Sequence, residues 1–147
     1  HRGFQQGIFV ADEIAGLAPL VVDDINIPKV TYSDPEVASV GLTEAKASEA
    51  HGAENITSYI YNLAGNGKSH ILGTSGFVKV VRVNDGPVVG IHMIGARVGE
   101  LIGEAQLIVN WEAYPEDVAH LVHAHPTQDE ALGEAHLALA GTPLHAN

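Results

Sequence analysis

Along the first stretch, apolar side chains recur at Phe4, Ile8, Phe9, Ala11, Ile14, Ala15 and Leu17, close to a helical period. This spacing predicts a helix over residues 3–17, stopped by Gly16 and Pro19. The pattern then changes. Ile27 to Tyr32 is rich in strand formers, Ser33-Asp34-Pro35-Glu36 is turn chemistry, and Val37 to Val40 predicts a second short strand. Thr43 suits a helix cap, with Glu44 in the first turn and Gly52 past the end. Ile56 to Tyr61 predicts a strand, and Ala64 to Ser69 a loop. Two β-rich runs, 76–83 and 88–94, flank Asn84-Asp85-Gly86-Pro87 and predict a hairpin. Residues 99–113 carry a helical stripe at Leu101, Ile102, Ala105, Ile108 and Val109, which is expected to face the core. Pro115, Glu116 and Asp117 suit a short helix ending near His120, and a last helix is expected over 128–140, closed by Gly141 and Pro143.

Strands, helix, strands and then several helices argue for an α+β fold, an antiparallel sheet packed with helices on one side. A boundary near residue 24 separates the first helix and its exit turn, residues 1–24, from the α+β unit at 25–147. The chain has 147 residues, enough for one domain with a core and a stub of another. Its formal net charge of −11 disfavours both phosphate backbones and anionic membrane surfaces as partners, so no nucleic acid and no membrane are expected. No apolar run approaches the ~18–20 residues of a membrane span. Cysteine is absent, which excludes disulfides, thiolate metal sites and thiol nucleophiles supplied by this chain. A reducing cytoplasm is the expected location, and the opening His1-Arg2-Gly3-Phe4, without an initiator methionine, reads as a cut end.

Candidate chemistry concentrates in H-A-H-P-T-Q-D-E, His123 to Glu130. Thr127 and Glu130 have the spacing of a capping box, in which each side chain meets the other's backbone amide. Pro126 also pushes His125 into extended geometry, from which a first-turn carboxylate can hold its ring. Such a pair selects one imidazole tautomer and frees the other nitrogen to move protons. Capping and pairing need the same carboxylate, whose two oxygens can serve both, and spacing alone leaves the two open. His120, His123 and His125 raise a metal reading, but spacing places no third or fourth ligand and no metal is expected. His92 is expected to pack within its strand or at its rim. G-N-G-K-S at 65–69 lacks the spacing of a phosphate loop and is expected to lack its strand–loop–helix setting. Glu36, Glu44, Glu100 and Glu104 read as solvated carboxylates at turns and helix starts.

Four segments carry a resemblance: I-P-K-V-T-Y-S-D-P-E-V-A-S-V-G-L-T-E-A at 27–45, G-F-V-K-V-V-R-V at 76–83, G-I-H-M-I-G-A-R-V-G-E-L-I at 90–102 and H-A-H-P-T-Q-D-E-A at 123–131. In this order they resemble the carboxyl-terminal interface domain of the flavin-dependent pyridine nucleotide–disulfide oxidoreductases, most closely the dihydrolipoamide-oxidising branch. The resemblance implies a homodimer in which the His-Pro segment reaches the partner's active site. His125 matches the family's acid–base histidine and Glu130 the glutamate that orients it. The His125–Pro126 peptide matches one that is typically cis, with its backbone near the partner's FAD. The implied reaction oxidises dihydrolipoamide and passes electrons through a cysteine pair and FAD to NAD, within a 2-oxo acid dehydrogenase complex whose other subunits are further partners. The chain departs from the family in having no C-x-x-x-x-C pair and no G-x-G-x-x-G fingerprint. Residues 1–24 resemble the end of the FAD domain without its core, so the chain alone is expected to bind no FAD tightly and to be inactive. Glutathione reductase shares the H-P-T start and the glutamate spacing and is the main rival. Mercuric reductase expects a carboxyl-terminal cysteine pair that this sequence lacks. A purely structural module for self-association or complex docking is the reading outside catalysis.

Overall fold

The computed structural model describes residues 1–145. The first helix, α1 (Arg2–Ile14), is followed by two short strands, β1 (Lys29–Thr31) and β2 (Glu36–Gly41), joined by a turn with a cis Asp34–Pro35 bond. Helix α2 (Glu44–His51) starts where expected, with Thr43 accepting from the amide of Lys46 and Gly52 beyond its end. Strand β3 (Ile56–Asn62) leads through a 3-10 turn into α3 (Gly67–Leu72). The hairpin β4 (Gly76–Val83) and β5 (Val88–Gly95) precedes α4 (Val98–Asn110), α5 (Pro115–Ala119) and α6 (Glu130–Leu139).

The five strands form one antiparallel sheet in the order β1-β2-β5-β4-β3. Strand alternation assigns its two faces. Val78 and Val80 of β4 and Ile91 and Met93 of β5 join the core with Leu101, Ile102, Ala105, Ile108 and Val109 of α4 and Leu132 and Ala135 of α6. The stripe expected on α4 is buried at all five positions. Burying a side chain such as Leu101 stabilises by ~1.5–3 kcal/mol, which is why this face fixes where α4 lies.

Four expectations need correction. Helices do not keep to one side of the sheet: α2 packs on β3 and β4 over the face carrying Lys79, where Lys79 pairs with Glu44. The reason is that β4 also has an apolar residue on that face, the fully buried Val81, and α2 in turn buries Ala47. Residues 64–69 are not a loop but a 3-10 turn and the first half of α3, since Asn66 caps a helix that has no apolar period. The α4 helix stops at Asn110 rather than 113, and α6 begins at Glu130 rather than Gln128.

Close backbone approach explains one glycine. At Gly41, φ is +79° and a Cβ would stand 2.2 Å from the Val89 carbonyl oxygen, so a side chain would push β2 off β5. Helix α1 stands apart, with no buried residue and with Phe4, Ile8 and Ile14 exposed. An Arg2–Asp24 ion pair of 2.7 Å ties its start to the following segment. No helix among the described residues is long and apolar enough to cross a membrane.

Candidate functional site

Placement of the site begins with Glu36 at the start of β2. Its Oε2 accepts from the amide of Gly99, 2.8 Å away, and satisfies a free donor of the first turn of α4. One helical turn and a half further on, Glu104 projects from α4 toward the segment between α5 and α6. There Nε2 of His123 donates to Oε1 of Glu104 at 2.8 Å. The bond to Glu104 pushes the His123 imidazole up from its usual range against the opposing effect of burial, and Asp129 and Glu130 add to the rise. The other side of the ring lies over α6, where a Cβ at Gly133 would be only 2.8 Å from His123 Nδ1.

Two residues on, His125 is followed by a cis peptide to Pro126. Its Nδ1 donates to Oε1 of Glu130 at 2.8 Å, and the second carboxylate oxygen, Oε2, accepts from the amide of Thr127 at 2.8 Å. One carboxylate thus holds both the ring and the backbone. Desolvation acts to raise the Glu130 carboxyl, but the Thr127 amide and the His125 ring outweigh it, and the net shift is downward. The His125 side chain remains 75% exposed, against 12% for His123.

The capping box is therefore half formed. Glu130 reaches back to the Thr127 amide, but the Thr127 hydroxyl turns away and donates to the Ala124 carbonyl at 2.6 Å. Because the helix starts at Glu130, Thr127 stands too far outside it to cap its first turn.

A third anchor was not legible in the His-Pro motif. Asn66 is buried; its Oδ1 accepts from the amide and hydroxyl of Ser69, capping α3, and its Nδ2 donates to the Thr127 carbonyl at 3.0 Å. The start of α3 lies under His125: a Cβ at Gly67 would be 3.9 Å from its Cε1. The signal available was Asn before Gly-Lys-Ser, a favoured helix cap. The strand–turn–helix setting denied to G-N-G-K-S is present, while its spacing still departs from a phosphate loop.

Of the carboxylates expected to be solvated, Glu36, Glu44 and Glu104 instead hold a helix amide, Lys79 and His123. Glu100 lines a cleft of about 340 Å³ with Lys68, Arg97, Pro126 and Asp129. His123 and His125 each take their own carboxylate rather than sharing a ligand, His120 ends α5, and no group of three or more metal-ligating side chains occurs among the described residues. His92 is a packed strand residue, its Nε2 donating to the Leu42 carbonyl at 2.9 Å.

Residues 27–136 match the family model of the pyridine nucleotide-disulphide oxidoreductase dimerisation domain. The chain is 42% identical over 147 residues to a dihydrolipoyl dehydrogenase of Bacillus subtilis, covering 99% of this chain and 31% of that protein. It is 34% identical over 146 residues to a mitochondrial dihydrolipoyl dehydrogenase of Pisum sativum, covering 99% of this chain and 29% of that protein. The chain thus spans about a third of the length of such relatives. In fold it matches LpdA of Mycobacterium tuberculosis with a TM-score of 0.85 at 20% identity, over 92% of this chain and 29% of that one. With the family model spanning the whole sheet and most of α6, the chain belongs to the pyridine nucleotide-disulphide oxidoreductase dimerisation-domain family.

Proposed function

We propose that this chain is the interface domain of a flavin-dependent dihydrolipoyl dehydrogenase, pairing with a second copy and extending His125 to that copy's dithiol–disulfide chemistry. The observation that carries this reading is the exposed His125 ring held through Nδ1 by a carboxylate that is itself fixed by the Thr127 amide. With Nδ1–H committed to Glu130, the neutral ring keeps its lone pair on Nε2. That nitrogen takes a proton from a dithiol substrate such as dihydrolipoamide, leaving the thiolate that attacks a disulfide. Glu130 offsets the positive charge the ring then carries.

In this reading, residues 1–24 close an FAD-binding domain and residues 25–147 form the interface domain. The support is that α1 buries none of its residues and leaves an apolar stripe open. Toward a flavin this chain would offer the His125–Pro126 segment, whose two residues are exposed and open to a partner's cofactor. FAD and NAD, when bound by the whole enzyme, supply the acceptors for the electron pair leaving the dithiol. Other subunits of a 2-oxo acid dehydrogenase complex would be its further partners.

The test is His125→Gln in the full-length, flavin-loaded enzyme. Removing a general base costs about 10²–10⁴-fold, so dihydrolipoamide oxidation should fall by that factor with the melting temperature unchanged. Activity close to that of the unmodified enzyme would overturn the assignment and favour a purely structural module.

A further inference from the structure

We propose that His123, gripped between Glu104 of α4 and the Gly133 backbone of α6, is a positioning residue that sets where His125 and Glu130 stand. The inference rests on the acid–base reading above. His123 offers far less surface than His125, 12% of its side chain against 75%, and two peptide units separate the two Cα atoms. Fixing one ring between two helices therefore limits where the other can be.

Three observations make this more than a packing contact. First, Gly133 lies inside α6, where glycine costs about 1 kcal/mol relative to alanine. A Cβ there would strike His123 at 2.8 Å from Nδ1 and 3.1 Å from Cε1, so the helix forgoes that stability to seat the ring. Second, the part-buried His123–Glu104 pair joins residues 19 apart in the chain, so it fixes where the segment lies more than it adds stability. Third, His123 faces carboxylates from both sides, Glu104 on α4 and Asp129 and Glu130 at the start of α6. Its positive charge favours the ionised form of Glu130, the form that His125 and the Thr127 amide require. The remaining neighbours are one charged group, Arg97, which acts on Asp129, and one titratable group, the buried His136, which is neutral. As pH rises and His123 loses its proton, its bond to Glu104 is no longer charge-assisted and the hold on the segment weakens.

The experiment compares His123→Gln, Glu104→Gln, Glu104→Asp and His125→Gln in the full-length, flavin-loaded enzyme, following kcat, KM and pH dependence of dihydrolipoamide oxidation. Misplacement by about 1 Å can cost on the order of 10²-fold, so His123→Gln and Glu104→Gln should lower kcat about ten- to hundredfold, with KM much less affected. In Glu104→Gln an alkaline limb of the kcat profile should move to lower pH; in His123→Gln it should vanish; Glu104→Asp should restore part of kcat. Unchanged kcat and pH profile with only a lower melting temperature would overturn the proposal and leave a structural clamp. Where His123→Gln does not fold, Glu104→Gln, which keeps the volume and a hydrogen bond, decides alone. An inactive His125→Gln beside fully active His123 and Glu104 variants refutes only the positioning role; an active His125→Gln removes both readings.

Discussion

The two histidines of His-Ala-His each bond a glutamate at 2.8 Å, His123 through Nε2 and His125 through Nδ1, yet one is largely covered between helices and the other stands in solvent. His123 gains a carboxylate from an element 19 residues upstream, whereas His125 gains one five residues ahead. The first arrangement ties α4 to the segment that leads into α6. The second leaves a ring nitrogen open at the surface, as the proposed proton transfer requires. Equal bond length is therefore no guide to role; exposure, the ring nitrogen used and the span of chain that the bond closes are.

The comparison breaks most directly at Glu130. Glu130→Gln in the full-length enzyme should lower dithiol oxidation by about 10²-fold or more, since the ring loses its orienting charge. Its melting temperature should shift far less than that of His123→Ala. Next in size is stability: His123→Ala leaves Glu104 without its partner and should cost about 1–3 kcal/mol in urea unfolding. His125→Ala, an exposed change, should stay within about 0.5 kcal/mol, and equal losses would erase the distinction. Asn66→Ala should also cost about 1–3 kcal/mol and, by freeing the Thr127 carbonyl, should slow dithiol oxidation without touching the acid–base pair.

Titration sharpens the contrast further. Burial pulls His136 down to about 4, with Nδ1 donating to the Leu132 carbonyl at 2.6 Å and Nε2 without a partner among the described residues. The unfolded imidazole titrates near ~6.5, so its share of stability is whole above that pH and is lost as pH falls toward 4. His123 runs the other way: its folded value is raised, so its share is whole below ~6.5 and is lost as pH rises through the folded value. Glu130, lowered on folding, contributes above ~4.3 and loses that only as the solution turns more acid. Urea midpoints across pH 4–9 should show the acid loss diminished in His136→Leu and the alkaline loss diminished in Glu104→Gln. The smallest effect is expected at His145, whose 2.8 Å pair with Glu134 is 75% exposed on the imidazole side: His145→Ala should change stability by no more than about 0.5 kcal/mol.

Much of the fold was legible because it rests on periodicity. Alternation along 76–83 and 88–94 and the stripe from Leu101 to Val109 each report a buried face, and each element lies there. Where period is lacking, the sequence was silent: α3 has six residues and is set by the Asn66 cap rather than by a stripe. The His125–Glu130 spacing was readable because both ends lie within one motif. Glu104 and Asn66 were not, since their bonds to the same segment exist only after the sheet has brought distant residues together. The half-formed box at Thr127 falls between these cases: the local pattern named the right carboxylate and misjudged the hydroxyl.

The Asn66–Thr127 bond has a consequence for the order of synthesis. It closes a span of 61 residues, and the Glu130 that holds Thr127 from the other side is translated after both. A nascent chain that has released the whole sheet from the ribosome still has no formed His125 pair. The His125–Glu130 pair can close only when the start of α6 has emerged, after the sheet that receives it is complete.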